Sequence, residues 1–308
     1  MILITGSSGF IASHLSKTFQ EKNLQYCTTS RQKSEHESSK HHQLNFNEHT
    51  NWSDVLNGVD IVIHTAAKVH NMDETNANKN DEYAAVNTRS TLNLAHHAIN
   101  AKIKKFIFFS TIKVNGEFTL PNTCFSEKSL PEPNGPYALS KYQAECDLIK
   151  LFEGSSVDLI ILRIPLVYGP NVKGNLRSLS SLINFSLPLP LPFGLIQNQR
   201  TLLSVYNLAD LVCKIIIFRD PLNQTFLVSD EHSMTLPGLV DALGKALNKK
   251  TYLFNVNLRF LKFLFFLIGK KAAFQKLSEN LVVDSSLVRE TLSWSPPYNF
   301  LQSMRYKN

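Results

Sequence analysis

The first twelve residues constrain the fold more than any other stretch. Met1 to Thr5 is a short apolar, β-branched run that reads as a buried strand. Gly6-Ser7-Ser8-Gly9-Phe10-Ile11-Ala12 follows, and a helical pattern runs from Ile11 to about Lys22. Strand, glycine turn and helix in immediate succession form a dinucleotide-binding arrangement. Gly6 permits the tight turn. Gly9 lets the backbone approach a pyrophosphate, and Ala12 allows close packing of helix on strand. The start of the helix offers free N–H groups and a positive dipole end to that anion. The spacing is G-x-x-G-x-x-A rather than the stricter G-x-G-x-x-G.

A second stretch carries chemistry. Tyr137-Ala138-Leu139-Ser140-Lys141 places Tyr and Lys four apart, on one face of a helix. An ammonium near a phenol favours the phenolate and lowers the Tyr pKa from about 10. Such a Tyr passes a proton to or from a carbinol oxygen. Phe106-Ile107-Phe108-Phe109-Ser110-Thr111 reads as a buried strand that ends in two hydroxyl residues. In open α/β sheets, ligands bind beyond the carboxyl ends of strands.

Together these residues resemble the extended short-chain dehydrogenase/reductase family, in its nucleotide-sugar branch. The resemblance covers nearly the whole chain. It implies an α/β fold, a Rossmann-type doubly wound parallel sheet with a smaller C-terminal substrate-binding lobe. The NAD(P)-binding part is expected over residues 1–166. The nucleotide-sugar lobe is expected over 167–308, with segments returning to the first part. The family's hydroxyl-x-x-Val-x-Gly pattern falls on Thr111-Ile112-Lys113-Val114-Asn115-Gly116, so Thr111, Tyr137 and Lys141 are the expected catalytic set. Gly6, Ser8, Gly9, Phe10, Ile11, Ala66 and Lys141 are expected to line the cofactor. The run from Ser110 to Glu117 looks like the subgroup of UDP-N-acetyl-quinovosamine 4-reductases of O-antigen synthesis. Arg163 to Pro170 and Lys173 to Leu176 fit that subgroup too. The implied reaction is hydride transfer at C4 of a UDP-sugar. A 4-epimerase, or a non-catalytic NADP-binding protein, are the alternatives.

The end of the second strand, read over Leu24 to Ser30, bears on cofactor choice. An acidic residue there holds the ribose hydroxyls of NAD, whereas Arg accommodates the 2′-phosphate of NADP. Here Ser30-Arg31 stands with no carboxylate before Glu35, so NADP is favoured over NAD. Asn45 replaces the family's Asp beside the adenine. Val59 to Thr65 reads as the next strand, and the small residues after it let the cofactor lie on the backbone. Lys68 and His70 face substrate or solvent. Asn71 to Asp81 is expected to be a polar loop at the mouth, followed by a helix from about Tyr83 to Ala101. Asn87 falls at the family's cofactor-side asparagine and Arg89 on the surface. Prolines between Glu117 and Gly135 mark a loop over the site, and Pro136 opens the Tyr137 helix. Val157 to Ile164 is almost wholly apolar, hence a strand buried on both faces.

Beyond Pro165 the resemblance implies substrate contacts. Leu187 to Pro192 suits a wall of the uridine pocket. Arg200 is expected on the sugar-nucleotide diphosphate, where its fork matches phosphate geometry. Asn175 is a candidate for the uracil edge. Leu258 to Ile268 is strongly apolar, with Arg259, Lys262, Lys270 and Lys271 in or beside it. Packing on the substrate lobe is the favoured reading, and a peripheral membrane contact through 258–271 is the other. Trp294-Ser295-Pro296-Pro297 resembles the family's closing motif.

Bulk properties set outer bounds. The net charge of +7 suits anionic ligands. No basic run interleaved with aromatics points to nucleic acid. Cys27, Cys124, Cys146 and Cys213 are scattered, which fits a reducing cytoplasm and neither a disulfide framework nor a zinc site. His36, His41 and His42 lack partners at ligand spacing, so no metal is expected. With a strand at residue two, no signal peptide is expected. No apolar run reaches the ~20 residues that span a bilayer. A homodimer stays open.

Overall fold

The computed structural model describes residues 1–32, 40–69, 79–172, 174–185, 190–267 and 269–305. The chain opens with β1 (Ile2–Thr5), α1 (Phe10–Glu21), β2 (Tyr26–Ser30) and β3 (His41–Gln43). After α2 (Ser53–Leu56) come β4 (Ile61–His64), α3 (Lys79–Ala84), a π-helical turn (Ala85–Arg89) and α4 (Ser90–Asn100). β5 (Lys105–Thr111) runs into a 3-10 turn (Ile112–Val114), and α5 (Gly135–Phe152), β6 (Asp158–Ile164) and β7 (Leu166–Tyr168) follow. Next are α6 (Asn175–Ile183), β8 (Pro190–Leu191), β9 (Leu202–Ser204), α7 (Val205–Ile217) and β10 (Gln224–Leu227). The chain closes with α8 (Leu236–Leu247), β11 (Tyr252–Leu253), α9 (Leu258–Leu267), α10 (Lys271–Ser278), α11 (Ser286–Leu292) and α12 (Phe300–Arg305).

Seven strands form one parallel sheet in the order β10-β6-β5-β4-β1-β2-β3. Alternate residues of the same strands serve opposite faces. Ile2, Ile4, Ile63, Ile107 and Phe109 pack with α1, α7 and α11. Leu3, Val62, Phe106 and Phe108 pack with α2, α4 and α5. Both faces are therefore covered, which is why these strands are largely apolar instead of alternating. The chain winds outward from β1 to β3, then returns to β4 and winds the other way. The switch point lies between β1 and β4, where Thr5 pairs with His64. Segments beyond residue 166 rejoin this layer, since β10 is an edge strand and Val288 and Trp294 enter its core.

A separate apolar cluster forms the C-terminal lobe, with Tyr168, Leu176, Leu191, Val240, Leu243 and Phe274 at its centre. The proline-rich stretch contributes Pro190–Leu191 as a two-residue strand paired with β11, and residues 186–189 lie outside the described residues. The loop from Glu117 to Gly135 is tied down by backbone bonds from Thr119 to Asn280, Phe125 to Val282 and Glu132 to Val114.

Two elements differ from the sequence reading. The single helix expected over 83–101 is interrupted by the π-helical turn at Ala85–Arg89. Among the described residues of the packed helix expected over 258–268, Leu261 alone is fully buried. Phe260, Phe263, Phe266 and Leu267 are each more than half exposed. Its apolar residues occupy nearly the whole circumference, and the lobe covers one narrow stripe of it. Among the described residues, no helix is long and apolar enough to cross a membrane.

Candidate active site

The glycine turn leaves β1 at the switch point and folds tightly against the chain emerging from β4. Gly6 has φ of +74°, and a Cβ there would sit 2.8 Å from Ala66 Cα and 2.9 Å from Ala66 N. The N–H groups of Gly6 and Ser7 both donate to the Thr29 carbonyl, which ties the turn to the end of β2. Arg31 lies two residues beyond, exposed, with its carbonyl accepting from Gln43. Helix α1 starts after Gly9 with no side-chain cap and no acidic residue in its first turn. Its N-terminus is thus free of the anionic side chains that would compete for it. Ser7 Oγ is buried without a hydrogen-bond partner. A buried orphan hydroxyl, a close backbone cradle and an uncapped helix start fit a bound dinucleotide phosphate. Ser8 and Gly9 lie exposed at the mouth and Ile11 is half-buried. The ring of Phe10 meets His14 edge-on. Asn45 is exposed beyond β3, and its carbonyl accepts from Thr50.

Residues at the end of β5 divide their hydroxyls by strand alternation. Ser110 turns inward and donates to the buried carboxylate of Glu145. Thr111 lies near enough to the phenol of Tyr137 to favour its ionised form, and its Oγ1 accepts from the Lys113 N–H at 3.3 Å. Helix α5 supplies Tyr137 from its first turn, where Gly135 and Pro136 start the helix. Tyr83 approaches Tyr137 edge-on, with ring centroids 6.4 Å apart. Lys141 is 2% exposed, and its ammonium lies 3.9 Å from the centroid of the Phe108 ring. His64 stacks on the same ring at 5.8 Å. His64 shares hydrogen bonds with Thr5 (2.7 Å) and Thr91 (2.9 Å), and burial holds it neutral, well below the usual histidine range.

The electrostatics of the pair differ from the sequence expectation. Burial pushes Tyr137 up to about 12. The nearby Thr111 opposes this, and Tyr83 adds to it. Burial pulls Lys141 down to about 7, opposed by Glu145. The expected lowering of the tyrosine by the lysine is absent here. A desolvated lysine near neutrality carries only part of a charge, while the phenol loses its own hydration.

A buried network missed by the sequence reading supports this face of α5. Arg163 donates from Nε and Nη2 to both oxygens of Glu145, and from Nη1 to Asn115 at 3.1 Å. Ser110 completes the set, so β5, β6, the 3-10 turn and α5 are joined through one carboxylate. The signal was present, because Glu145 follows Lys141 by four residues and Tyr137 by eight. Asn87, expected beside the cofactor, is fully buried and its amide is used internally. It accepts from the Lys68 N–H and donates to the Lys68 carbonyl and Ser140 Oγ. The π-helical turn presents Asn87 and Thr88 to Ser140 and so locks α5 to the loop after β4. The Lys68 side chain pairs with Glu82, while His70 lies outside the described residues. Arg89 pairs with Glu48 and Asp81 at the surface.

The candidate substrate residues sit in the C-terminal lobe. Asn175 is the exposed first residue of α6. Arg200 is half-buried, with one Nη donating to the carbonyls of Lys276 and Glu279 at 3.0 and 3.2 Å. Of the histidines considered for a metal, His41 bonds Thr28 instead, and His36 lies outside the described residues.

The chain is 39% identical over 310 residues to a UDP-glucose 4-epimerase of Vibrio cholerae, covering 99% of this chain and 93% of that one. A human dTDP-D-glucose 4,6-dehydratase is 30% identical over 185 residues, 55% of this chain and 52% of its own. Among solved structures, the UDP-N-acetylglucosamine 4-epimerase of Bacillus cereus superposes with a TM-score of 0.79 at 19% identity, over 99% of this chain and 96% of that one. The Thermus thermophilus UDP-glucose 4-epimerase, solved in complex with NAD, gives 0.75 at 20% identity over 99% and 96%. Residues 2–224 match the model of the NAD dependent epimerase/dehydratase family, and the chain belongs to that family.

Proposed function

We propose that the protein oxidises and reduces C4 of a UDP-linked sugar, with 4-epimerisation as the net reaction. The observation that carries this is the placement of Thr111 at the carboxyl end of β5 near the phenol of Tyr137, with the buried Lys141 one helical turn on. Choice of C4 and of UDP rests on the Vibrio cholerae relative, which is similar along nearly its full length.

A bound nicotinamide dinucleotide supplies the hydride acceptor and donor. Tyr137 exchanges a proton with the C4 oxygen. Thr111 donates to the same oxygen, so developing charge meets a fixed dipole. Lys141 favours ionisation of Tyr137 once it is protonated, and anions in the crevice promote that protonation. Gly6, Ser8, Gly9, Phe10, Ile11 and Ala66 hold the dinucleotide, with Lys141 on its ribose. Arg200 takes the substrate diphosphate and Asn175 the uracil edge.

A second reading is favoured by Arg31 and by the Ser110 to Glu117 run. In it, the enzyme is a reductase of a UDP-4-keto-6-deoxy-N-acetylhexosamine that uses NADPH. One assay separates the two. The purified protein is given UDP-glucose or UDP-N-acetylglucosamine, and the nucleotide sugars are resolved while nicotinamide absorbance is followed. Interconversion with the 4-epimer and no net change in absorbance is expected. Stoichiometric NADPH consumption with the 4-keto sugar, and no epimerisation, moves the assignment to the reductase. Failure with both substrate types overturns the UDP-sugar reading. Tyr137→Phe is expected to lower whichever turnover is found by ~10²–10⁴-fold.

A further inference from the structure

The exposed face of α9 belongs to a segment whose composition is unlike the rest of the chain. Residues 242–278 contain eight lysines and arginines and no aspartate or glutamate. The remainder carries 24 basic against 25 acidic residues, so the whole positive excess of the protein resides in this segment. Within it, α9 presents Leu258, Phe260, Phe263, Leu264, Phe266 and Leu267 to solvent, each at least 39% exposed. Arg259, Lys262, Lys270 and Lys276 are exposed on α9 and beside it. Among the described residues of the helix, Leu261 and Phe265 join the lobe's apolar cluster, and Phe265 meets Phe274 at 5.6 Å.

A contiguous apolar surface of this kind marks an interaction site. We propose that α9 docks the protein on an anionic phospholipid membrane, with its phenylalanines at the acyl boundary and its basic residues among the headgroups. Charge decides the occupant. A second copy meeting this face in a two-fold contact would bring the same basic segment against itself. A nucleic acid would satisfy the lysines but leave the phenylalanines in water. An anionic bilayer interface satisfies both, since apolar side chains bury below the headgroups and basic ones pair with them. Each Lys or Arg near such a surface raises partitioning roughly fivefold. The helix is ten residues long, so it lies on the membrane and does not cross it. The proposal is independent of the assigned reaction.

The test is flotation of the full chain with vesicles of phosphatidylcholine alone or mixed with phosphatidylglycerol. Flotation is expected with the mixed vesicles only, falling as salt is raised. Arg259→Glu with Lys262→Glu should weaken partitioning more than tenfold, and Phe263→Asp with Phe266→Asp should abolish it while thermal unfolding stays the same. Absence of flotation with the mixed vesicles, or equal flotation by the aspartate variant, overturns the proposal. So does a dimer in size-exclusion chromatography that the aspartate variant dissociates, because a second copy then covers the face. Phe263→Trp gives a readout that does not depend on a disruptive change, since Trp52 and Trp294 are both buried. Its emission should shift to the blue on the mixed vesicles, and an unchanged spectrum counts against the docking.

Discussion

Arg163 grips Glu145 with Nη2 at 2.6 Å and Nε at 3.1 Å from one carboxylate oxygen, and both side chains are almost fully buried. The pair joins α5, which bears Tyr137 and Lys141, to the strand beside Thr111. Taking two charges out of water is costly, and breaking such a pair leaves the partner charged and unpaired. Glu145→Ala should therefore destabilise the protein by about 3–5 kcal/mol, measured by urea unfolding. Glu145→Leu with Arg163→Met should cost less than either single change. Additive losses in that double-mutant cycle would show that the two residues act separately.

The buried lysine gives a signed pH dependence. Lys141 titrates near 7 in the folded protein and near 10.5 when unfolded. Between those values the unfolded chain binds more protons, so stability rises with pH across that window. Below about 7 both states are charged and the cost is fully present. The slope attributable to Lys141 is at most about 1.4 kcal/mol per pH unit. Lys141→Met should remove it, which a comparison of unfolding midpoints from pH 7 to 9 would check. Measurements belong below pH 9, because Cys213, raised to about 11, and Tyr137, raised to about 12, lower stability at higher pH. A variant whose pH slope equals that of the wild type would mean that Lys141 keeps an ordinary pKa.

The parallel sheet and its glycine turn are legible because both faces of the sheet are covered, giving unbroken apolar runs at Ile2–Ile4 and Phe106–Phe109. Thr111 over Ser110 was legible from a pattern, and strand alternation is its physical basis. Glu145 and Arg163 were not read as a pair, since 18 residues and a change of element separate them. Asn87 matches the family's cofactor-side asparagine in sequence, whereas the π-helical turn that points its amide at Ser140 is not visible there. For α9, lobe packing is the reading favoured from sequence, and the structure shows it for one stripe of the helix, with Leu261 and Phe265 on the lobe. Apolar composition reveals a tendency to be covered, and the covering partner need not be the same chain.

Arg31 tests cofactor choice. It is exposed at the end of β2, next to the strand that holds the glycine turn through Thr29. Only NADPH carries a 2′-phosphate for it to meet. Arg31→Ala should weaken NADPH by ~1.5–3 kcal/mol, roughly tenfold or more, and leave NADH within twofold or so. Fluorescence titration of both cofactors reads this directly. Equal weakening of the two would remove Arg31 from the adenosine phosphate and with it the support for NADP.

Gly6 tests whether the turn is needed for its shape or only for its flexibility. Alanine at φ of +74° carries a backbone penalty of about 1–2 kcal/mol. Its Cβ would also lie within 3 Å of two backbone atoms of Ala66, and neither can rotate away. Overpacking of that kind adds about 1–3 kcal/mol. Gly58 provides the control, because its φ is +72° and nothing lies within 4 Å of a Cβ there. Gly58→Ala should lose only the backbone term and keep full cofactor affinity. Gly6→Ala should lose both terms and bind NAD(P)H at least tenfold more weakly, because relieving the clash must part the β1 and β4 loops. Thermal unfolding and cofactor titration of the two variants, run together, separate strain from contact. Equal effects of the two substitutions on stability and binding would show that the approach of Gly6 to Ala66 does not shape the crevice.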